Sequence, residues 1–184
     1  RGSVYRGTAA GGADIVSQQL PKAELEAAIT RAMQTVSYQR AEKDLDYVAV
    51  CLVGYREPVP VKIGSNATAC PVEVTYSRDP ENAAKVKDRS QPIHQMEVLR
   101  WVWTPSEAHA KRLKAALDTC LLGEDPDMRR MRNGFRDVPE WEIAWPILLG
   151  DALETLRQRG ETIETFSDEM KIHRVLRHAR RRLG

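Results

Sequence analysis

The residues best suited to a chemical role are two runs of basic side chains. One run spans residues 129–132 (Arg-Arg-Met-Arg), and the other spans residues 177–182 (Arg-His-Ala-Arg-Arg-Arg). From Lys171 to the end of the chain there are six Lys and Arg residues and no acid. Guanidinium groups pair with phosphate oxygens in a fixed fork, and such contacts bind nucleic acid with little sequence information. We expect both runs to contact nucleic acid; a solvated charged surface is the alternative.

Other kinds of chemistry find little support in the sequence. The 28 Lys and Arg residues nearly balance 26 Asp and Glu, so the net charge of +2 identifies no partner. The four histidines have no Cys or carboxylate at metal-ligand spacing, and we predict no metal site. The chain contains no Gly-rich phosphate loop, hydrolase elbow or Cys-His nucleophile pair.

Cysteine usage and hydropathy bear on the compartment. The three cysteines, Cys51, Cys70 and Cys120, are too few and too unevenly spread for a disulfide framework. No apolar run approaches the roughly 18 to 20 residues of a membrane span. We therefore expect reduced thiols, no membrane association and a cytoplasmic protein.

The sequence pattern predicts that the elements positioning these residues form a small α/β (α+β) domain. Strand-like segments occupy residues 47–53, 59–63, 72–76 and 95–103. The last of these alternates, which puts Val98 and Val102 on one face and Leu99 and Trp101 on the other. Helix starts are indicated at Asp79-Pro80, for a helix to about residue 88, and at residues 104–107 (Thr-Pro-Ser-Glu), with the Thr as cap. We expect a small mixed or antiparallel sheet flanked by helices.

Helical extensions are predicted on both sides of this domain. We divide the chain into a flexible lead (1–19), one amphipathic N-terminal helix (20–43), the α/β domain (44–138) and a helical C-terminal extension with a basic tail (139–184). In the extension, Pro146 should break or kink a helix that begins near Pro139, and Gly160 should end the helix that follows.

The order of two strands, a helix, a strand and a helix, with an Asn-Gly-aromatic turn after it, resembles the GIY-YIG nuclease superfamily, in particular its phage-type branch. Tyr47 looks like the tyrosine of the first motif. Residues 62–64 (Lys-Ile-Gly) look like the second, although residues 72–76 (Val-Glu-Val-Thr-Tyr) compete for the same place. Residues 78–80 (Arg-Asp-Pro), 110–113 (Ala-Lys-Arg-Leu) and 133–135 (Asn-Gly-Phe) complete the resemblance, which covers about half of the chain.

Two departures from the family pattern indicate a catalytically inactive domain. The first helix lacks the family's Arg about three residues after the Pro, and Lys114 occupies the position of the metal-binding Glu. Phosphodiester cleavage of this type needs carboxylate ligands for Mg²⁺, and an ammonium group cannot hold that ion. The resemblance thus implies a DNA-binding protein with no cofactor. If activity survives through a relocated carboxylate, Mg²⁺ is the cofactor, and Tyr47 with Lys62 or Tyr76 lies beside the scissile phosphate.

A former nuclease surface would retain a groove fitted to the phosphate backbone. The predicted DNA-binding residues are Arg78, Lys85, Lys87, Arg112, Lys114, Arg129, Arg130, Arg132, Arg177, Arg180, Arg181 and Arg182. Interleaved acids such as Asp79 and Glu107 make a solvated charged face the alternative for the groove. A further hypothesis is a protein-interaction module on the same fold, which would bind a partner or itself through the helices at 21–40 and 167–183.

Overall fold

The computed structural model describes residues 6–8, 14–16, 21–60, 66–84, 96–122 and 135–183. The chain forms two compact units. We call Asp46–Asp168 the sheet domain, and Arg1–Leu45 together with Glu169–Gly184 the helical unit. The strands are β1 (Arg6–Thr8), β2 (Asp14–Val16), β3 (Val48–Gly54), β4 (Val59–Pro60), β5 (Thr68–Ala69), β6 (Pro71–Ser77), β7 (Glu97–Thr104) and β8 (Arg136–Asp137). The helices are α1 (Lys22–Met33), α2 (Val36–Asp44), α3 (Glu107–Leu122), α4 (Trp141–Gln158) and α5 (Asp168–Leu183).

The sheet domain is built on a four-stranded antiparallel sheet in the order β7-β3-β6-β8. Every residue of β3 is buried, so the strand predicted at residues 47–53 is covered on both faces. Val50 and Leu52 point into one core with α3 and α4, whereas Cys51 and Val53 point into a second core. The predicted α/β class is confirmed, and of the two predicted kinds of sheet, mixed or antiparallel, this one is antiparallel.

A β-bulge in β7 overturns the predicted alternation of that strand. Leu52 pairs with Arg100 and Val53 pairs with Val98, so Leu99 is an extra residue between two partners. Because one inserted residue reverses the facing beyond it, Leu99 and Val102 share the first core, while Val98 and Trp101 share the second. The prediction that Val98 and Val102 lie on one face is wrong.

The start of α3 lies where it was predicted, but a different residue caps it. Ser106 Oγ accepts a hydrogen bond from the amide of His109 at 3.3 Å. Thr104, the predicted cap, is instead fully buried at the end of β7, and its hydroxyl donates to the carbonyl of Val48 at 2.7 Å. One face of α3 is an apolar stripe buried in the first core, formed by Ala110, Leu113, Ala116, Leu117 and Leu121.

Two other helix predictions need correction. The single helix expected over residues 20–43 is two helices, because Thr35 adopts an extended conformation and its side chain caps α2 by accepting from the Tyr38 amide at 3.1 Å. At Pro80 the described chain forms a 3-10 turn, Pro80–Asn82, in place of the first turn of the predicted α-helix. The rest of that prediction, at residues 85–88, lies outside the described residues.

The helix α4 runs through Pro146 without a break. Trp141 and Trp145 on its buried face pack in the core with Leu113, so α4 belongs to the sheet domain, although the predicted division placed it in the C-terminal extension. Gly160 ends the helix as predicted: its φ is +81°, and the amides of Gly160 and Glu161 donate to the carbonyls of Arg157 and Leu156 at 2.9 Å.

Candidate nucleic-acid interface

The helix α5 is amphipathic, and its buried side chains and ion pairs define its orientation within the helical unit. Val175 and Ala179 are buried. Lys171 pairs with Glu42 of α2 at 3.8 Å. Farther along, His178 pairs with Asp44 at 3.3 Å, and Arg182 pairs with the same carboxylate. These contacts hold one side of α5 along α2, which leaves the opposite side for other partners.

Three arginines occupy the outward side of α5. Arg177, Arg180 and Arg181 are all exposed, and Arg180 and Arg181 lie three and four residues after Arg177, one helical turn along. None of them takes part in an ion pair with another described side chain of the chain. Cations in the last turn of a helix also interact favourably with the helix dipole. This row, which we call the α5 arginine row, presents three guanidinium groups whose hydrogen-bond donors remain available to phosphate.

The structure separates Arg182 from the α5 arginine row. It was predicted as a DNA-binding residue, but its guanidinium donates to Asp44 of α2. Together with His178 it shares that carboxylate, so its contribution is to the packing of α5 against α2. Because Asp44 offsets part of its charge, Arg182 should attract a phosphate less strongly than the three arginines of the row.

In the sheet domain, the cations of α3 are mostly paired. Lys114 donates to Asp118 at 2.6 Å, one turn along the helix. Lys111 lies 3.8 Å from Glu107. Arg112 is exposed, and none of the described ion pairs involves it. Of the predicted groove residues on α3, therefore, Arg112 is available and Lys114 already has a carboxylate.

Arg78 also has an acidic partner, and the remaining basic residues predicted for a site lie outside the described part of the chain. Arg78 lies 3.4 Å from Asp46, in an exposed pair that salt would weaken. The other predicted residues fall outside the described ranges: Lys62, Lys85, Lys87, Arg129, Arg130 and Arg132.

The two tyrosines proposed for a nuclease site lie on opposite faces of the sheet. Tyr76 pairs with Val50 across β6 and β3, and it packs against the first core. Tyr47 packs against the second core, where its ring meets Phe166 edge-on at 4.9 Å between centroids. The structure therefore does not bring Tyr47 and Tyr76 together beside one phosphate.

Sequence reasoning missed one pair of basic residues in the sheet domain. The guanidinium groups of Arg56 and Arg100 lie 5.8 Å and 4.9 Å from the centroid of the Trp141 ring. Arg56 also pairs with Glu97 at 3.2 Å. These residues are far apart in the chain, so no spacing in the sequence could have indicated their meeting.

The cysteine thiols do not form a nucleophilic centre. Burial raises the pKa of Cys51 to about 12. Burial, with nearby carboxylates, also raises the pKa of Cys70 and of Cys120. Because the thiolate is the reactive form, all three groups are poor nucleophiles at neutral pH. All three cysteines are free, as predicted.

Within the described ranges, no three His, Cys, Asp or Glu side chains lie close enough together to hold a metal ion. The described helices likewise include none with the length and apolar character needed to cross a bilayer.

Comparison with protein-family models, with curated proteins and with solved structures finds no match for this chain. The resemblance to the GIY-YIG superfamily accordingly remains a prediction from the residues quoted above.

Proposed function

We propose that this protein binds DNA through the phosphate backbone and that its GIY-YIG-like domain does not cleave it. The α5 arginine row carries the proposal. Three exposed guanidinium groups without acidic partners among the described residues can each replace a counterion of the duplex. A row of this kind contributes affinity and little sequence preference, because phosphates are the same at every base pair.

The environment of Lys114 supports the absence of cleavage. The resemblance places a metal-binding carboxylate at this position, and the chain has an ammonium group there instead. The nearest candidate for a relocated ligand on α3, Asp118, is held by Lys114 at 2.6 Å. A carboxylate neutralised by an ammonium group is a poor ligand for Mg²⁺, since the ion would have to displace the lysine and approach a positive charge.

The test is a binding titration with a duplex of arbitrary sequence at several salt concentrations. Three phosphate contacts predict that the affinity falls roughly fortyfold between about 50 mM and 200 mM salt. The same samples, incubated with plasmid and Mg²⁺ or Mn²⁺, should leave the plasmid intact. Binding that is independent of salt would contradict the proposed mode of binding, and metal-dependent nicking would contradict the inactive domain.

A further inference from the structure

Within the described residues of the sheet domain, helix α4 carries apolar side chains on an exposed face. Ile143 and Ile147 are 63% and 59% exposed, and they are the large exposed hydrophobic residues of the described sheet domain. The opposite face of the same helix is buried in the core through Trp141 and Trp145. A helix that is apolar on two sides normally packs on two sides, so the open face indicates a partner.

The exposed face follows the spacing of a coiled-coil seam. Counting from the residue that precedes α4, six exposed positions are separated by three, four, three, four and three residues. We call them the α4 seam: Glu140, Ile143, Ile147, Gly150, Glu154 and Arg157. At its middle, a methyl group built on Gly150 would meet nothing within 4 Å, so the helix surface is open there, and we call this gap in the row of side chains the open notch.

The α4 seam of one copy is complementary to the α4 seam of a second copy that runs in the opposite direction. If two copies lie antiparallel about a two-fold axis between Leu148 and Leu149, each Ile147 falls opposite the other copy's Gly150, a large side chain against the open notch. Ile143 falls opposite the stem of Glu154. At the ends, Glu140 falls opposite Arg157.

The charges at the ends of the seam also favour this pairing. Within one copy, Arg157 already donates two hydrogen bonds to Glu154, at 2.8 Å and 2.7 Å. That internal pair neutralises Glu154, the one acid that would face an isoleucine. A guanidinium has five donors, so Arg157 can also donate to the carboxylate of Glu140 in the other copy.

We propose that the protein forms a two-fold symmetric dimer through the α4 seam, with a second copy of the chain as the partner. Such an isologous interface uses the same patch on both copies, as the residue order requires. The helix has 18 residues and is about 27 Å long, which places the interface at the small end of the specific range. We therefore expect a reversible dimer with a Kd on the order of micromolar. This dimer does not depend on DNA binding, and it involves neither of the terminal helices.

Sedimentation of the DNA-free protein over a range of concentrations tests the proposal. The mass should rise from the monomer value of 20.8 kDa to twice that value. Ile147→Asp should raise the Kd at least tenfold, because it places two carboxylates in an apolar contact, and should leave the fold intact, because the site is exposed. A monomer at every concentration up to about 1 mM would overturn the proposal, and so would a dimer that tolerates this substitution.

Gly150→Ala separates the interface from folding. Alanine favours the helix and meets no neighbour in one copy, so the Tm should rise. The new methyl group fills the notch for Ile147, so dimerisation should weaken roughly tenfold. A dimer as strong as that of the unmodified chain would place the contact elsewhere.

A charge exchange tests the antiparallel register. Glu140→Arg alone and Arg157→Glu alone should each weaken the dimer, and the two together should restore it at least in part, because the end pair is then formed with reversed signs. The double variant shares the loss of the Glu154 partner with Arg157→Glu alone, so failure to dimerise more tightly than that single variant would overturn the proposed register.

Discussion

The sheet domain and the helical unit each present basic residues on an amphipathic helix, but they use these residues differently. On α3, Lys111 and Lys114 have carboxylate partners one turn away, at 3.8 Å and 2.6 Å. On α5, Arg177, Arg180 and Arg181 are exposed without such partners among the described side chains. A cation that already has an acid gains little from a phosphate, because one favourable contact replaces another. The number of basic residues on a helix is therefore a poorer guide to binding than the number left without an acid.

The apolar sides of the two helices extend this contrast. Five residues of α3 are buried, two of them leucines with no exposed surface. The described part of α5 buries Val175 and Ala179. We infer that α3 mainly holds the sheet domain together and that α5 mainly presents charge.

Leu113→Ala is expected to have the largest effect on stability. Leu113 is fully buried in the first core, so the substitution should lower the free energy of unfolding by about 2 to 5 kcal/mol. Its neighbour Arg112 is exposed, and Arg112→Ala is the matched control, with an expected change below about 0.5 kcal/mol. Urea denaturation measures both. Equal effects would contradict the packing role of α3.

Alkaline pH should affect the sheet domain through Cys51. Burial raises the pKa of this thiol from 9.0 to about 12. The thiol of the unfolded chain loses its proton at a lower pH than the buried thiol of the folded chain. The contribution of Cys51 to the free energy of unfolding is therefore fully present below about pH 9 and is lost as the pH rises toward 12. One such group contributes a slope of up to about 1.4 kcal/mol per pH unit. Cys51→Ala should remove this part of the decline in thermal unfolding, and a variant that declines as steeply as the unmodified chain would contradict the assignment.

Asp118→Asn should have a small effect on stability. Lys114 and Asp118 are 30% and 42% exposed, and pairs of this kind contribute about 0.2 to 1 kcal/mol. The substitution also removes the carboxylate partner of Lys114, and it changes no residue of α5. We expect DNA affinity to change by less than about twofold, because a charge that makes no contact with the DNA acts only through screened, long-range attraction. A much larger gain, measured by fluorescence anisotropy, would mean that α3 lies at the DNA and would break the contrast with α5.

The parts of the fold that follow from local chemistry were predictable. The β-favouring run of β3, the apolar stripe of α3 and the end of α4 at Gly160 all follow from residue type and spacing. The pairing of Lys114 with Asp118 also has a signal in the sequence, since the two residues are four apart on a predicted helix.

The remaining features depend on tertiary structure. The bulge at Leu99 arises from the pairing of β7 with β3, which no property of β7 alone reveals. The break before α2 depends on whether Thr35 caps a new helix or continues the old one, and threonine is compatible with both. The partner of Arg182 is Asp44, which is far away in the sequence. Only the structure could show that Arg182 does not belong to the α5 arginine row.

The most direct measurement compares two triple variants that each remove three positive charges. One replaces Arg177, Arg180 and Arg181 with Gln, and the other replaces Lys111, Arg112 and Lys114 with Gln. We expect the α5 variant to lose on the order of a hundredfold in DNA affinity at about 0.15 M salt, and its salt slope to fall by about 2 to 3. We expect the α3 variant to change the slope by less than about 1. Equal losses in the two variants, or a larger loss in the α3 variant, would contradict DNA binding through the α5 arginine row.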